Sequence, residues 1–141
     1  MDGNFAAMRQ SIIDGAPESA SALARNGLAQ GHHPLELIDN GFVSGMTEVG
    51  QLFAKHQMFL PDMLAAAEAM KAAIAVLEPE LKRQGEERPV AGTVILGTTK
   101  GDIHEIGKTL VGTLLTANGF KVHDLGVDVS PEKFADKARD F

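Results

Sequence analysis

Cysteine is absent, and so are tryptophan and tyrosine. The missing thiols exclude disulfides, thiolate metal sites and cysteine nucleophiles. A chain without cysteine is also compatible with a reducing compartment, and a cytoplasmic location is expected. Aromatic side chains make up only 5% of the 141 residues. Alanine, leucine, isoleucine and methionine must then fill any core, which suits closely packed helices. Basic residues are in deficit, giving a formal net charge of −6. Nucleic acid needs a cationic face that displaces phosphate counterions. An anionic membrane surface attracts basic segments. Neither partner is expected. Long apolar runs are missing too. The most apolar stretch, Met63 to Leu77, is broken by Glu68 and Lys71, so it reads as a buried helix and not a membrane span. The opening Met1-Asp2-Gly3-Asn4 has neither the basic nor the apolar region of a signal peptide.

What is present is ordinary for a globular chain. Hydrophobic residues make up 44% and charged residues 23%, so an ordinary core is expected, and 141 residues are enough for one domain or two small ones. Phe5, Met8 and Ile12 recur at helical spacing and predict a first helix, closed by Gly15-Ala16-Pro17. Leu23, Ala24 and Leu28 give a second helix its apolar face. After Gly31-His32-His33-Pro34, a third helix aligns Ile38, Phe42, Gly45, Val49, Leu52 and Phe53 on one side. Its glycines Gly41, Gly45 and Gly50 each weaken it by about 1 kcal/mol against alanine and suggest close backbone approach. A fourth helix begins near Pro61 and carries Leu64, Ala67, Met70, Ile74, Leu77 and Leu81. Together these predict a four-helix bundle.

Lys82 to Pro89 is charged, contains a glycine and a proline, and reads as a solvated linker. The pattern then changes. Thr93-Val94-Ile95-Leu96 is a short β-branched run, expected to be a strand buried on both faces. A glycine-containing loop leads to a helix from Glu105 to Ala117, stopped by Asn118-Gly119. Lys121 to Leu125 predicts a second strand. Ser130 is the expected N-cap of a last helix with Pro131 in its first turn. Alternating strands and helices predict a parallel α/β sheet. The expected domains are a helical bundle over residues 1–86 and the first part of a Rossmann-like (flavodoxin-like) domain over residues 87–141.

Chemistry concentrates in Gly97-Thr98-Thr99-Lys100-Gly101-Asp102-Ile103-His104-Glu105-Ile106-Gly107. This segment follows the first strand, and open α/β sheets bind ligands at the carboxyl ends of their strands. A histidine on such a loop can project towards a bound group and ligate a transition metal through one ring nitrogen. A carboxylate two residues away can hold the other ring nitrogen and fix the tautomer. The same two residues also describe a loop histidine beside a helix-capping aspartate. Gly107-Lys108-Thr109 resembles the end of a phosphate loop, but the glycine that motif needs is Asp102 here, and a carboxylate repels phosphate. His32, His33 and His56 read as loop histidines, and His123 lies in the second strand.

Asp102-Ile103-His104-Glu105-Ile106-Gly107 resembles the Asp-x-His-x-x-Gly motif of cobalamin-binding domains. The resemblance extends through Lys100-Gly101, Gly107-Lys108, Val111-Gly112 and Asp124-Leu125-Gly126-Val127-Asp128-Val129. Upstream, Gly45-Met46, Val49-Gly50, Leu52-Phe53, Met58-Phe59-Leu60-Pro61 and Ala67-Glu68-Ala69-Met70-Lys71 resemble that family's helical domain. The chain is similar to the corrinoid proteins of methylamine and methanol methyltransferase systems and to the cobalamin module of methionine synthase, over about residues 34 to 139.

The resemblance implies roles. His104 would be the lower axial ligand of cobalt, replacing the dimethylbenzimidazole base of cobalamin, and Asp102 would hold its other nitrogen. Gly101 and Gly107 would let the backbone pass close to the corrin and its nucleotide tail, with Ile103 in the same cofactor-binding loop. Phe53, Leu60 and Met63 would cap the upper corrin face, against the plainer reading of all three as bundle core. The implied function is a methyl carrier that shuttles between cob(I)alamin and methylcob(III)alamin with methyltransferase proteins as partners, the Lys82–Pro89 linker acting as hinge. Two alternatives stand beside it: a corrinoid-binding sensor or store without methyl transfer, and a metalloenzyme using His104, Asp102 and His123. The family's domain continues for several more strands. On that reading part of the tail pocket is not supplied by this sequence, the first strand offers an open edge, and a homo-oligomer or a strand-donating partner is expected.

Overall fold

The computed structural model describes residues 2–141, and Met1 of the N-terminal reading lies outside them. Cα packing divides the chain into two compact units, one ending at Arg88 and the other Pro89–Phe141.

The first unit is helical. It contains α1 (Asp2–Ile13), α2 (Pro17–Ala29), α3 (Pro34–Glu36), a π-helical turn (Leu37–Phe42), α4 (Val43–Ala54) and α5 (Leu60–Arg83). Each break falls where the sequence forces one. Gly15 has φ +62 and sits against Ala65, where an added Cβ would come within 2.6 Å of the alanine methyl. Pro17, Pro34 and Pro61 occupy first turns, where a missing N–H costs nothing. From Pro34 to Ala54 the helix is unbroken, as expected, but its middle turn is π-helical, with Val43 N–H donating to the Ile38 carbonyl. The four-helix bundle is thus α1, α2, the continuous α3–α4 rod, and α5.

Met8, Ile12, Leu37, Phe42, Val49, Met70 and Leu77 are fully buried at its centre. Gly41 and Gly45 are close-approach positions. A Cβ on Gly41 would lie 2.7 Å from the Met8 sulfur, and one on Gly45 2.7 Å from the Arg9 carbonyl oxygen. Gly50 differs: a Cβ added there would have no neighbour within 4 Å, so no packing requirement explains it. In α2 the buried face is Ala20, Ala24 and Gly27, not the expected leucines, and Gly27 lies against Leu37 and Met8, where an added Cβ would come within 2.7 Å of a Leu37 methyl. Leu23 and Leu28 are both only half-buried. Phe53, expected on the apolar side of its helix, is exposed, and Leu52 is half-buried.

The linker reading needs correction. Lys82 and Arg83 finish α5, and Glu86 N–H donates to the Leu81 carbonyl at 2.8 Å. The Glu86 carboxylate meets His33 Nε2 at 2.9 Å, while His33 Nδ1 accepts the Leu35 N–H at 3.1 Å and so caps α3. The pKa of Arg88 is lowered by burial despite the nearby Asp39 and Glu78. This stretch is therefore fastened to the bundle by specific pairs.

The second unit contains β1 (Gly92–Leu96), α6 (Ile106–Ala117), β2 (Phe120–Asp124) and α7 (Pro131–Asp140). β1 and β2 are parallel, with Gly92 opposite Phe120 and Leu96 opposite Asp124. Ser130 caps α7 by accepting the Lys133 N–H at 3.2 Å. The expectation that β1 is buried on both faces is not met: Thr93 is exposed, and Val94, Ile95 and Leu96 are half-buried. The Rossmann-like reading holds in its order of strand, helix, parallel strand, helix. Among the described residues no helix is long and apolar enough to cross a membrane.

Candidate cofactor-binding site

The loop after β1 carries the site. Gly101 has φ +89, a left-handed conformation that glycine adopts without strain. It turns the chain so that Asp102 N–H donates back to the Thr99 carbonyl at 3.0 Å. The Asp102 carboxylate then folds over the next two residues. One of its oxygens accepts the His104 backbone N–H at 2.9 Å and faces His104 Nδ1 at 2.5 Å. These two interactions, backbone first and ring second, hold the Asp102 carboxyl below the usual carboxylate range. An ionised carboxylate only accepts, so Nδ1 donates to it, and in the neutral ring Nε2 is the nitrogen with the lone pair. The His104 side chain is 93% exposed. The outcome is an imidazole fixed in tautomer and direction, with a bare ligating nitrogen turned outward. Asp102 does not cap α6, which begins later, at Ile106.

Around that nitrogen the surface is unusual for a loop. Ile103 and Ile106 are 79% and 80% exposed. Gly107, in the first turn of α6, has no left-handed φ and nothing within 4 Å of a would-be Cβ. No contact within the chain calls for glycine there. Bare backbone, two presented isoleucines and one outward imidazole fit a metal that arrives inside a flat, largely apolar carrier supplying its other ligands, as a cobalt corrin does. His123 is not brought to this group. Its ring stacks on Phe141 at 3.7 Å between centroids, and its Nε2 is buried without a partner. Among the described residues no three His, Asp or Glu side chains gather to enclose an ion, so the metalloenzyme reading with His123 lacks its geometry.

Several residues of the site carry no role in the sequence reading. Thr98 is buried, and its hydroxyl donates to the His104 carbonyl at 2.7 Å. Asp128, at φ +55, accepts the Gly101 N–H at 2.7 Å and returns its own N–H to the Asp102 carbonyl at 3.1 Å. Lys108 ends against both carboxylate oxygens of Asp124, at 2.6 and 2.7 Å. That pairing also removes the phosphate-loop reading, because the ammonium is already neutralised. Lys108 and Asp128 are visible in the sequence only inside motifs, and Thr98 has no signal beyond its position at the strand end.

Of the expected cap residues, Phe53 is 43% and Leu60 40% exposed, so neither is bundle core, and Met63 is half-buried. Phe53 lies at the end of α4 and the other two in the first turns of α5, around one tight turn in which His56 takes φ +61. Phe59, also exposed in that turn, is an apolar group to which the sequence assigns no role of its own.

Helical bundle, parallel α/β unit and an outward Asp-supported histidine define a corrinoid-protein architecture, and comparison with known proteins agrees. Family models described as "B12 binding domain" match residues 5–78 and, separately, residues 92–141. The chain belongs to the B12-binding-domain family, and its cofactor is a cobalamin-type corrinoid. A trimethylamine corrinoid protein of Methanosarcina mazei is 47% identical over 137 residues, covering 97% of this chain and 63% of the relative. A corrinoid protein of Desulfitobacterium hafniense is 40% identical, covering 94% and 62%. A chain of the crystallised methanol:cobalamin methyltransferase complex of Methanosarcina barkeri superposes with TM-score 0.84 at 30% identity, covering 98% of this chain and 52% of that one. The chain thus spans about half to 63% of the length of the curated relatives it matches.

Proposed function

We propose that this chain is a corrinoid-holding methyl carrier working with methyltransferase partners. The observation that carries the reading is the His104 imidazole, oriented by Asp102 through Nδ1 and free at Nε2. When bound, the corrin cobalt supplies the methyl-carrying chemistry. The protein supplies ligation, cover and orientation. His104 would hold the cobalt through Nε2. Asp102 raises its basicity and keeps the proton on Nδ1. Gly101, Ile103 and Gly107 would form the surface against the corrin, where a side chain at Gly107 would stand in the way. On the helical unit the exposed Phe53 and Leu60, with Met63, would offer the corrin an apolar cover.

Relatives with methylamine or methanol names support a methyl-carrying role and a methyltransferase partner. Among the described residues β1 pairs with β2 alone, and self-association through its other edge would be the oligomeric form of this proposal. Light scattering across a concentration series decides that point, and a constant monomer mass overturns it. The central reading is tested by adding hydroxocobalamin to the full chain and recording the visible spectrum. The expected spectrum is that of histidine-ligated cobalamin with its own base displaced. His104→Ala should convert it to a base-on or water-ligated spectrum, and an unchanged spectrum overturns the assignment.

A further inference from the structure

The loop that presents His104 has no secondary structure of its own between Leu96 and Ile106, apart from an isolated bridge between Thr99 and Val129. A loop of that kind places a ligand poorly unless something else fixes it. Functional groups need to be held within about 0.5 Å of their working position by surrounding hydrogen bonds. Asp102 fixes the ring relative to its own loop. A second group must fix the loop relative to the sheet.

We propose that Asp128 is the positioning residue that does this. It belongs to the following loop, between β2 and α7, and contacts the ligand loop twice. Its carboxylate accepts the Gly101 N–H at 2.7 Å, and its own N–H donates to the Asp102 carbonyl at 3.1 Å. The two bonds close a ring across the residue pair that precedes the ligand. Asp128 is itself anchored, because its neighbour Val129 is buried and donates its N–H to the Thr98 carbonyl at 2.8 Å. The Thr98 hydroxyl reaches the far side of the same loop at the His104 carbonyl.

The backbone of Asp128 gives an independent reason to see selection for its side chain. At φ +55 it occupies the left-handed region, which glycine adopts freely and other residues adopt at a cost. Gly126, two residues earlier at φ +91, shows the usual solution in the same loop. An aspartate at the second such position makes sense if its carboxylate is needed, and the Gly101 N–H is the group it serves. Glycine there would satisfy the turn and lose the clamp.

This inference rests on the corrinoid reading of His104, and the test separates the two. Asp128→Gly relieves the backbone strain and removes the acceptor, so the variant is expected to fold, with a thermal midpoint near the parent's. Asp128→Asn keeps both the left-handed tolerance and a side-chain oxygen. In the cofactor-free chain, amide exchange at Gly101 should quicken by at least about tenfold in Asp128→Gly and stay near parental in Asp128→Asn. With hydroxocobalamin added, Asp128→Gly should bind about tenfold more weakly and show a smaller histidine-ligated fraction, at the low end of what outer supports of metal ligands contribute. Asp128→Asn should restore both. If the parent never gives a histidine-ligated spectrum, the corrinoid reading fails, while the exchange result still decides whether the clamp exists. Unchanged exchange in Asp128→Gly overturns the clamp. Faster exchange with parental affinity and spectrum overturns its positioning role.

Discussion

Lys108 in α6 and Asp124 at the end of β2 form a two-pronged ion pair, with the lysine side chain only 5% exposed. Asp124 also accepts the Gly126 N–H at 2.8 Å, so one carboxylate ties the helix that follows the ligand loop to the turn that leads to Asp128. Asp124 titrates below the ordinary carboxylate range, chiefly because of Lys108, and Lys108 titrates above the ordinary lysine range, chiefly because of Asp124.

The pair makes stability of this unit depend on pH at both ends. The depressed carboxylate contributes fully above the ordinary aspartate value, about 4, and its contribution is lost as pH falls through the lowered value. The raised ammonium contributes fully below the ordinary lysine value, about 10.4, and is lost as pH rises through the raised one. Protection of β2 amides from exchange should be flat between those limits and decline outside them. Lys108→Met should lower protection throughout the plateau and flatten the alkaline decline. A parental pH profile in the variant would contradict the pairing.

Replacing Asp102 by asparagine keeps the size of the side chain and removes the charge that holds Nδ1–H. Hydroxocobalamin affinity should fall about 10–100-fold, as read by titration of the visible spectrum. Loss of the His104 ligation signal without loss of the helical circular dichroism would place the effect in the site and not in the fold.

Gly45→Ala and Gly50→Ala should move stability in opposite directions. The first puts a methyl 2.7 Å from both the Arg9 carbonyl and the Ile12 Cβ and should cost about 1–3 kcal/mol by overpacking. The second meets open space in a helix interior and should gain about 0.5–1 kcal/mol. Urea denaturation followed by far-ultraviolet circular dichroism measures both.

Phe53→Ala should cost about 1 kcal/mol or less, since the ring is only partly buried, whereas Phe42→Ala should cost about 3–5 kcal/mol. With methylcobalamin bound, Phe53→Ala should photolyse faster than the parent. An unaltered photolysis rate would leave Phe53 with no covering role.

The helices were legible because proline and glycine punctuate them: Gly15 before Pro17 and His33 before Pro34 are breaks that no tertiary contact has to create. The Asp102–His104 pairing was legible because the two residues need only local geometry to meet. What escaped depends on distant partners. The π-helical turn forms where Gly41 lets the Met8 sulfur in, and period counting over one helix carries no trace of Met8. The small-residue face of α2 depends on neighbours outside that helix, with Gly27 lying against Met8 and Leu37. Lys82 to Pro89 has the composition of a free linker, and only the placement of His33 turns Glu86 into a fastening. Asp128 looks like any loop aspartate until Gly101 is seen beneath it.

The π-helical turn has a consequence for how this sequence can change. Hydrogen bonds that skip one residue further than usual accommodate one residue beyond an α-helical count. Each α-helical residue advances the helix by about 100°. The wide turn absorbs the extra residue, so α4 keeps the phase of an unbroken α-helix one residue shorter. Deleting one residue between Leu37 and Phe42 would close the turn to an α-helical one and leave Gly45 facing Arg9 and Ile12, whereas a deletion inside α4 would turn everything after it by that angle. The turn is thus the place where the rod can change length without changing the face it shows α1.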